Sequence, residues 1–247
     1  MKEIVSRIIN DHLLQYAHPI VDAKSLSVEF YEILSRVGYG GNIEGPKEFM
    51  SEITPHQRYT MAKCILEKIK SYQKEHLSLS FSVNISSLEF EQGILQFLNE
   101  LGIDKQIDPS RCIIEVSESM NTSNLVIEQM VDLKKKYGFR FALDDFGAGF
   151  SNFEQIFRSN GLYEFIKIDG SMVTGIQHDE AKKSTLGAFI QAIRFNNKKS
   201  IVEFVEDEEI LKIVLELGAD FLQGYVFGKP APIEDFLGET KSFIAST

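Results

Sequence analysis

The sequence has no tryptophan and only two cysteines among its 247 residues. Cys64 lies in a helical pattern and Cys112 in a strand pattern. Two thiols allow one disulfide but nothing in the sequence demands it; a chain of this length builds a large core without staples, and a reducing compartment is expected. Proline is scarce, at 6 residues, and no linker, low-complexity tract or internal repeat divides the chain. No apolar run approaches the ~18 residues of a membrane span. The first residues carry Glu3, Arg7 and Asp11 with no small-residue cleavage site, which argues against a signal peptide. Basic residues are outnumbered, 26 against 36 acidic, for a formal net charge of −10. That balance argues against a nucleic-acid polymer or an anionic membrane as partner, and an anionic ligand needs locally placed cations. A cytoplasmic protein without a membrane segment is expected.

What the sequence does hold is alternation. Short runs rich in Val, Ile and Phe predict strands over 14–21, 26–34, 77–84, 111–116, 139–145, 164–168, 200–205 and 220–223. Helical periodicity fills 56–75, 87–101, 122–137, 179–196 and 206–217, and Pro46 and Pro55 bracket a further short helix. Eight strands with helices between them predict an α/β fold, a TIM-like (β/α)8 barrel, over a doubly wound open sheet. Only residues 22–25 join the first two strands, too few for a parallel crossover, so that pair is expected to be antiparallel. A single domain over 1–247 is expected.

Glu32, Asn84, Glu115, Asp144, Lys167, Glu203 and Gln223 fall at or near the ends of successive predicted strands. They recur at intervals close to the ~30 residues of one βαβ unit. In a barrel those ends converge on one face, where active sites form. Glu118, Asp145, Asp169 and Glu206 follow as second polar residues. So many carboxylates packed together repel, and either take up protons or bind cations. An all-oxygen set with one amide and no Cys or His suits Mg²⁺ or Mn²⁺ rather than Zn²⁺. Two such ions ~3.5–4 Å apart are the usual arrangement for phosphodiester hydrolysis.

The motifs around these positions are His18-Pro19-Ile20-Val21, Glu32-Ile33-Leu34-Ser35-Arg36, Val83-Asn84-Ile85-Ser86, Glu115-Val116-Ser117-Glu118, Asp144-Asp145-Phe146-Gly147, Lys167-Ile168-Asp169, Glu203-Phe204-Val205-Glu206 and Gln223-Gly224-Tyr225. In that order, from about Tyr16 to about Phe236, the chain resembles the EAL domain family, the cyclic di-GMP phosphodiesterases of bacterial signalling. The resemblance implies a TIM-like barrel with one antiparallel strand and two Mg²⁺ or Mn²⁺ ions per active site. It implies that Glu32, Asn84, Glu115 and Asp144 bind the first ion, and that Asp144, Asp145 and Glu203 surround the second. Lys167 resembles the lysine that orients the attacking water, and Glu206 and Gln223 match further active-site positions. Arg36 matches a phosphate-contacting arginine, Leu34 a residue of the nucleotide pocket, and His18 a substrate-binding position. Glu118 matches the glutamate that anchors the loop after Asp145. A homodimer, and a separate regulatory protein partner, are implied at the level of the family.

The sequence also departs from the family pattern. Ile33 stands in place of Ala, His18 of Gln, Phe150 and Asn152 of Tyr and Ser, and Val202 and Phe204 of Ala and Gly. No ion ligand is lost. An imidazole at 18 offers one donor and one acceptor where an amide offers more. The expected activity is metal-dependent opening of cyclic di-GMP to linear pGpG. The alternatives are a receptor of the same fold that binds the nucleotide without cleaving it and acts through a protein partner, and another Mg²⁺-dependent barrel enzyme. Gly147-Ala148-Gly149 lacks the third glycine of a dinucleotide-binding turn, and the Asp145-Phe146-Gly147 triplet has no kinase loops beside it. Asp169 reads as a turn-former rather than a ligand.

Overall fold

A computed structural model describes residues 13–39, 41–105, 107–117, 123–148 and 161–237. Glu118, Phe150 and Asn152 lie outside the described residues.

The strands are β1 (Leu13–Asp22), β2 (Val28–Tyr39), β3 (Asn42–Glu44), β4 (Phe81–Asn84), β5 (Cys112–Ser117), β6 (Arg140–Phe146), β7 (Phe165–Ile168), β8 (Lys199–Val202), β9 (Phe221–Leu222) and β10 (Ala231–Pro232). Eight of them close into a barrel in the order β1-β2-β4-β5-β6-β7-β8-β9, with β9 returning to β1. The pairs from β2–β4 to β8–β9 are parallel, and β1 runs antiparallel to both its neighbours. The short β1–β2 connection forms as a tight turn because the Asp22 carboxylate accepts the backbone N–H groups of Lys24 and Ser25, at 3.0 and 2.8 Å. The closing strand β9 is only two residues long and meets β1 and β8 through two register pairs each. The additions to the barrel are β3, hairpinned to β2, and β10, laid on β1.

The helices are α1 (Pro46–Phe49), α2 (Pro55–Glu75), α3 (Ser87–Glu91), α4 (Ile94–Ile103), α5 (Asn124–Tyr137), α6 (Glu180–Phe195) and α7 (Glu208–Glu216). Thr54 and Gln57 form a capping box at the start of α2, with Pro55 supplying a pre-set φ. Asp179 and Asp207 cap α6 and α7 by accepting backbone N–H groups. The sequence pattern over 87–101 reads as one helix, but the chain breaks it at Gly93, whose φ of +90° ends α3 and begins α4. The cap of α3 is Ser86 paired with Glu89.

The core has two parts. Outward-facing strand residues and the inner faces of the helices build the larger one, with Leu66, Ile69, Leu98, Met130, Ile190 and Val214 fully or almost fully buried. Inside the barrel Ile20, Phe30, Ile113, Ala142, Phe165, Ile201 and Phe221 form a separate plug. Its three rings meet at centroid distances of 5.4, 5.6 and 6.5 Å in tilted or edge-on geometry.

Cys112 is buried in β5, and burial pushes its thiol up to about 12, whereas Cys64 is exposed on α2. A thiol-specific disulfide reagent at pH 8 is expected to label one cysteine in the native protein and two in denaturant. Rapid native labelling of both thiols would contradict this packing.

Candidate active site

Side chains two residues apart on a strand share a face. Two residues beyond Phe30, Ser82, Ile113, Ala142, Phe165, Ile201 and Phe221 stand Glu32, Asn84, Glu115, Asp144, Lys167, Glu203 and Gln223. Because β1 runs the other way, His18 is two residues before Ile20 and pairs in register with Glu32. The apolar plug therefore floors a polar ring at the C-terminal ends of the parallel strands.

Lys167 occupies the centre of that ring and is 1% exposed. Its Nζ lies 2.7 Å from Glu115 Oε2, 2.8 Å from Glu203 Oε1, 3.1 Å from Asp144 Oδ1 and 3.5 Å from Glu32 Oε2. Burial opposes charge on the amine, yet Asp144, Glu115, Glu203 and Glu32 together hold it well above the ordinary lysine range. The four carboxylates thus favour the protonated amine. Glu32 is fixed from both sides, since Asn84 Nδ2 donates to Oε1 and Gln223 Nε2 to Oε2, each at 2.7 Å. Against the cost of burial, Lys167 and these two amides keep its carboxyl below the usual range. Glu115 behaves oppositely. Burial, reinforced by Glu32 and Asp144, pushes its carboxyl well up despite the bond from Lys167. Burial likewise raises Glu203 to about 7, with Asp144 and Glu32 adding to the effect and Lys167 opposing it.

Asp145 enters the site through a backbone irregularity. Between Leu143 and Phe146, β6 carries one more residue than β7 pairs with, and Asp145 takes a φ of +59°. This bulge lets two consecutive aspartates serve one end of the sheet where alternation would send the second away. Ser117 Oγ donates to Asp145 Oδ2 at 3.2 Å. Burial and Asp144 raise the Asp145 carboxyl. Ser117 was not among the residues expected from sequence. Its signal is its place two residues after Glu115 on the same face.

Arg36 lies on β2 rather than beyond it, because the strand runs to Tyr39 instead of ending near 34. Its guanidinium stacks 5.5 Å over the Tyr16 ring and donates to Ser35 O at 2.9 Å. Leu34 and Asn84 line a cavity of ≈ 220 Å³ with Met50 and Met61. A larger groove of ≈ 520 Å³, lined by Asn99, Lys136 and Tyr137, holds no member of the ring. Gln223 Nε2, a donor, lies 3.1 Å from His18 Nδ1, which places the imidazole proton on Nε2. That Nε2 is buried without a partner among the described residues, and burial lowers the His18 pKa. Glu206 is exposed, and no hydrogen bond or ion pair among the described residues brings it into the ring. Asp169 caps the turn at 170–172 by accepting from Ser171 N at 2.9 Å, and takes no part in the Lys167 cluster. Phe204 adopts a φ of +57° where a glycine would be unstrained, a conformation costing about 1–2 kcal/mol for a residue with Cβ.

Among the described residues, no three carboxylate or imidazole side chains form a ready-made cation cage. The carboxylates instead meet at the Lys167 ammonium. Glu115 Oε1 is buried with no hydrogen-bond partner, and Asp144 Oδ1, though 3.1 Å from Nζ, accepts no hydrogen bond. Hard oxygen donors with two open acceptor atoms fit a divalent cation. Because Glu203 must shed its proton to bind one, affinity for Mn²⁺ is expected to fall as pH drops below about 7, with proton release on binding. Calorimetry in buffers of different ionisation enthalpy reads that release directly, and its absence at pH 6 would remove Glu203 from the ligand set.

A closed β/α barrel with one reversed strand and an acidic, lysine-centred ring at its C-terminal end defines a class of barrel that comparison with known proteins narrows further. The EAL domain family profile matches residues 1–230, and the chain belongs to that family. It is 29% identical over 230 residues, 90% of its length, to the probable cyclic di-GMP phosphodiesterase PdeA of Escherichia coli strain K12. It spans 31% of that protein's length. The EAL domain protein of Listeria monocytogenes EGD-e superposes with a TM-score of 0.82 at 24% identity, covering 95% of this chain and 94% of that one. The Bacillus subtilis YkuI protein, solved with its substrate c-di-GMP and calcium, superposes with a TM-score of 0.78 at 20% identity, covering 94% and 59%. No helix among the described residues is long and apolar enough to cross a membrane.

Proposed function

We propose that this chain hydrolyses one phosphodiester bond of cyclic di-GMP to give linear pGpG. The observation that carries the reading is the convergence of Glu32, Glu115, Asp144 and Glu203 within 3.5 Å of one buried ammonium, with Asn84 and Gln223 orienting Glu32. Glu32, Asn84, Glu115 and Asp144 would hold one divalent cation, Mg²⁺ or Mn²⁺, and Asp144, Asp145 and Glu203 a second. The chemistry two such ions supply is acidification of water toward neutral pKa and neutralisation of phosphoryl charge.

The residues divide the remaining work. Arg36 meets a phosphoryl oxygen with the guanidinium donors that Ser35 O leaves free, offsetting charge that grows in the transition state. Lys167, held as an ammonium, orients a water by donating to its oxygen and does not remove its proton. Gln223 and Asn84 keep Glu32 in one rotamer. His18, held through Nδ1 by Gln223, shapes the side of the site that takes a base, and Leu34 lines the apolar side of the nucleotide pocket. The water oxygen bonds to phosphorus as the bond from phosphorus to O3′ breaks; one of the water's two protons ends on O3′, which leaves as a hydroxyl, and the other passes to the product phosphate or to solvent. The product keeps a 5′ phosphate. Glu206, exposed in the segment after β8, the strand paired with the one that carries Lys167, meets substrate from the rim. Control through a homodimer or a separate protein partner belongs to the same proposal.

The test is incubation with cyclic di-GMP and Mg²⁺ or Mn²⁺, with an EDTA control, followed by chromatography. Metal-dependent pGpG supports the reading. Saturable binding with no turnover in either metal replaces the enzyme with a receptor.

A further inference from the structure

Phe204 is 51% exposed and left-handed in backbone, immediately after Glu203 at the barrel mouth. Both features oppose folding. An exposed ring buries little, and a residue with Cβ is strained at that φ. Strain held in place at a candidate site asks for a function. The structure also seats the ring. A Cβ on Gly170 would come within 2.1 Å of the Phe204 ring, so the bare glycine backbone is what one ring face rests on. The loop itself is fixed from both sides. Glu203 N–H donates to Ile168 O, Val205 N–H to Gln223 O, and Val226 N–H to Val205 O. The neighbouring loop carries a second half-exposed ring, Tyr225. Among the described residues the other exposed large apolar side chains, Phe195 and Leu77 among them, are not in the left-handed region.

Resting on the proposed function, we infer that Phe204 is a specificity-determining residue that stacks one purine base of the dinucleotide at the rim. A neutral ring suits this site. The pit is rich in carboxylates, and a π-face adds affinity for a base without adding charge. Stacking of one base on one aromatic side chain is worth about tenfold or more in affinity.

The experiment is calorimetric titration of cyclic di-GMP into the Ca²⁺-loaded protein, for wild type, Phe204→Gly, Phe204→Asn and Phe204→Tyr, with thermal melts of each. Glycine and asparagine accept the left-handed backbone without a ring, so both are expected to fold and to bind about tenfold or more weakly. Tyrosine keeps the π-face and is expected to bind within about twofold of wild type. Wild-type affinity in the glycine and asparagine variants overturns the inference and leaves the proposed function standing. Weakened binding shared by the tyrosine variant overturns it too, as does a loss that tracks a fall in melting temperature. No binding by wild type overturns the proposed function and this inference with it.

Discussion

Glu32→Ala is expected to lower kcat for cyclic di-GMP by about a thousandfold while leaving the barrel folded. The size is that of removing a preorganised electrostatic group from a reaction centre, at the upper end of that range. Glu32 is the carboxylate on which three ring elements depend, because it accepts from Asn84 and Gln223 and stands 3.5 Å from Lys167. Its loss deprives a divalent cation of an anionic ligand and frees two amides that no longer point one way. The fold should survive, since the apolar plug beneath is untouched, Asn84 is exposed, and the buried Gln223 amide keeps its contact with His18. Glu32→Gln keeps the shape and one acceptor while removing the charge, and should lose nearly as much activity. Turnover near wild type in both variants, with unchanged circular dichroism, would remove Glu32 from the catalytic set.

Lys167→Met is expected to produce the largest change in stability. One ammonium offsets four carboxylates in a buried ring, and removing one partner of a buried ion pair costs about 3–5 kcal/mol. For a chain of this size that is roughly 6–20 °C in melting temperature. Two conditions should close the gap. Lower pH protonates the stranded carboxylates, so the difference from wild type narrows as pH falls. Millimolar Mn²⁺ supplies the missing positive charge, so the metal should raise the melting temperature of the variant more than that of wild type. A variant that is destabilised but unresponsive to metal would mean that ammonium and cation do not share these carboxylates.

The ring positions were legible because a strand has period two and its apolar runs are short. A polar residue at the end of each run is visible in the sequence, and so is the reversal of β1, from the brevity of residues 22–25. What the sequence did not disclose are the features set by backbone geometry and tertiary packing. Composition cannot place Lys167 at the centre of four carboxylates rather than beside Asp169, because the choice depends on which faces of β5, β7 and β8 meet. The bulge at Asp145 and the left-handed backbone of Phe204 are non-glycine exceptions that no local pattern announces. The extension of β2 to Tyr39, which turns Arg36 from a loop residue into a strand residue, follows from pairing with β1 as far as Val37 and with β3 from Val37 to Tyr39, tertiary partners that outweigh local propensity.

The two-residue strand β9 has a consequence for motion. A barrel has no free edge, so a local opening must begin by parting some pair of strands. The seams on either side of β9 are held by the fewest ladder rungs, whereas β1 and β2 are zipped along their length. Amide hydrogens along Phe221–Gln223 are therefore expected to exchange through smaller openings than those of β5 or β6, as native-state hydrogen exchange would read. Gln223 lies on that seam, and its amide ties it to Glu32 and His18 on the opposite side. The polar ring is thus a clasp across the weakest join of the barrel. Whatever tightens the ring slows the breathing of the seam, and a mutation that loosens the seam loosens the grip on Glu32.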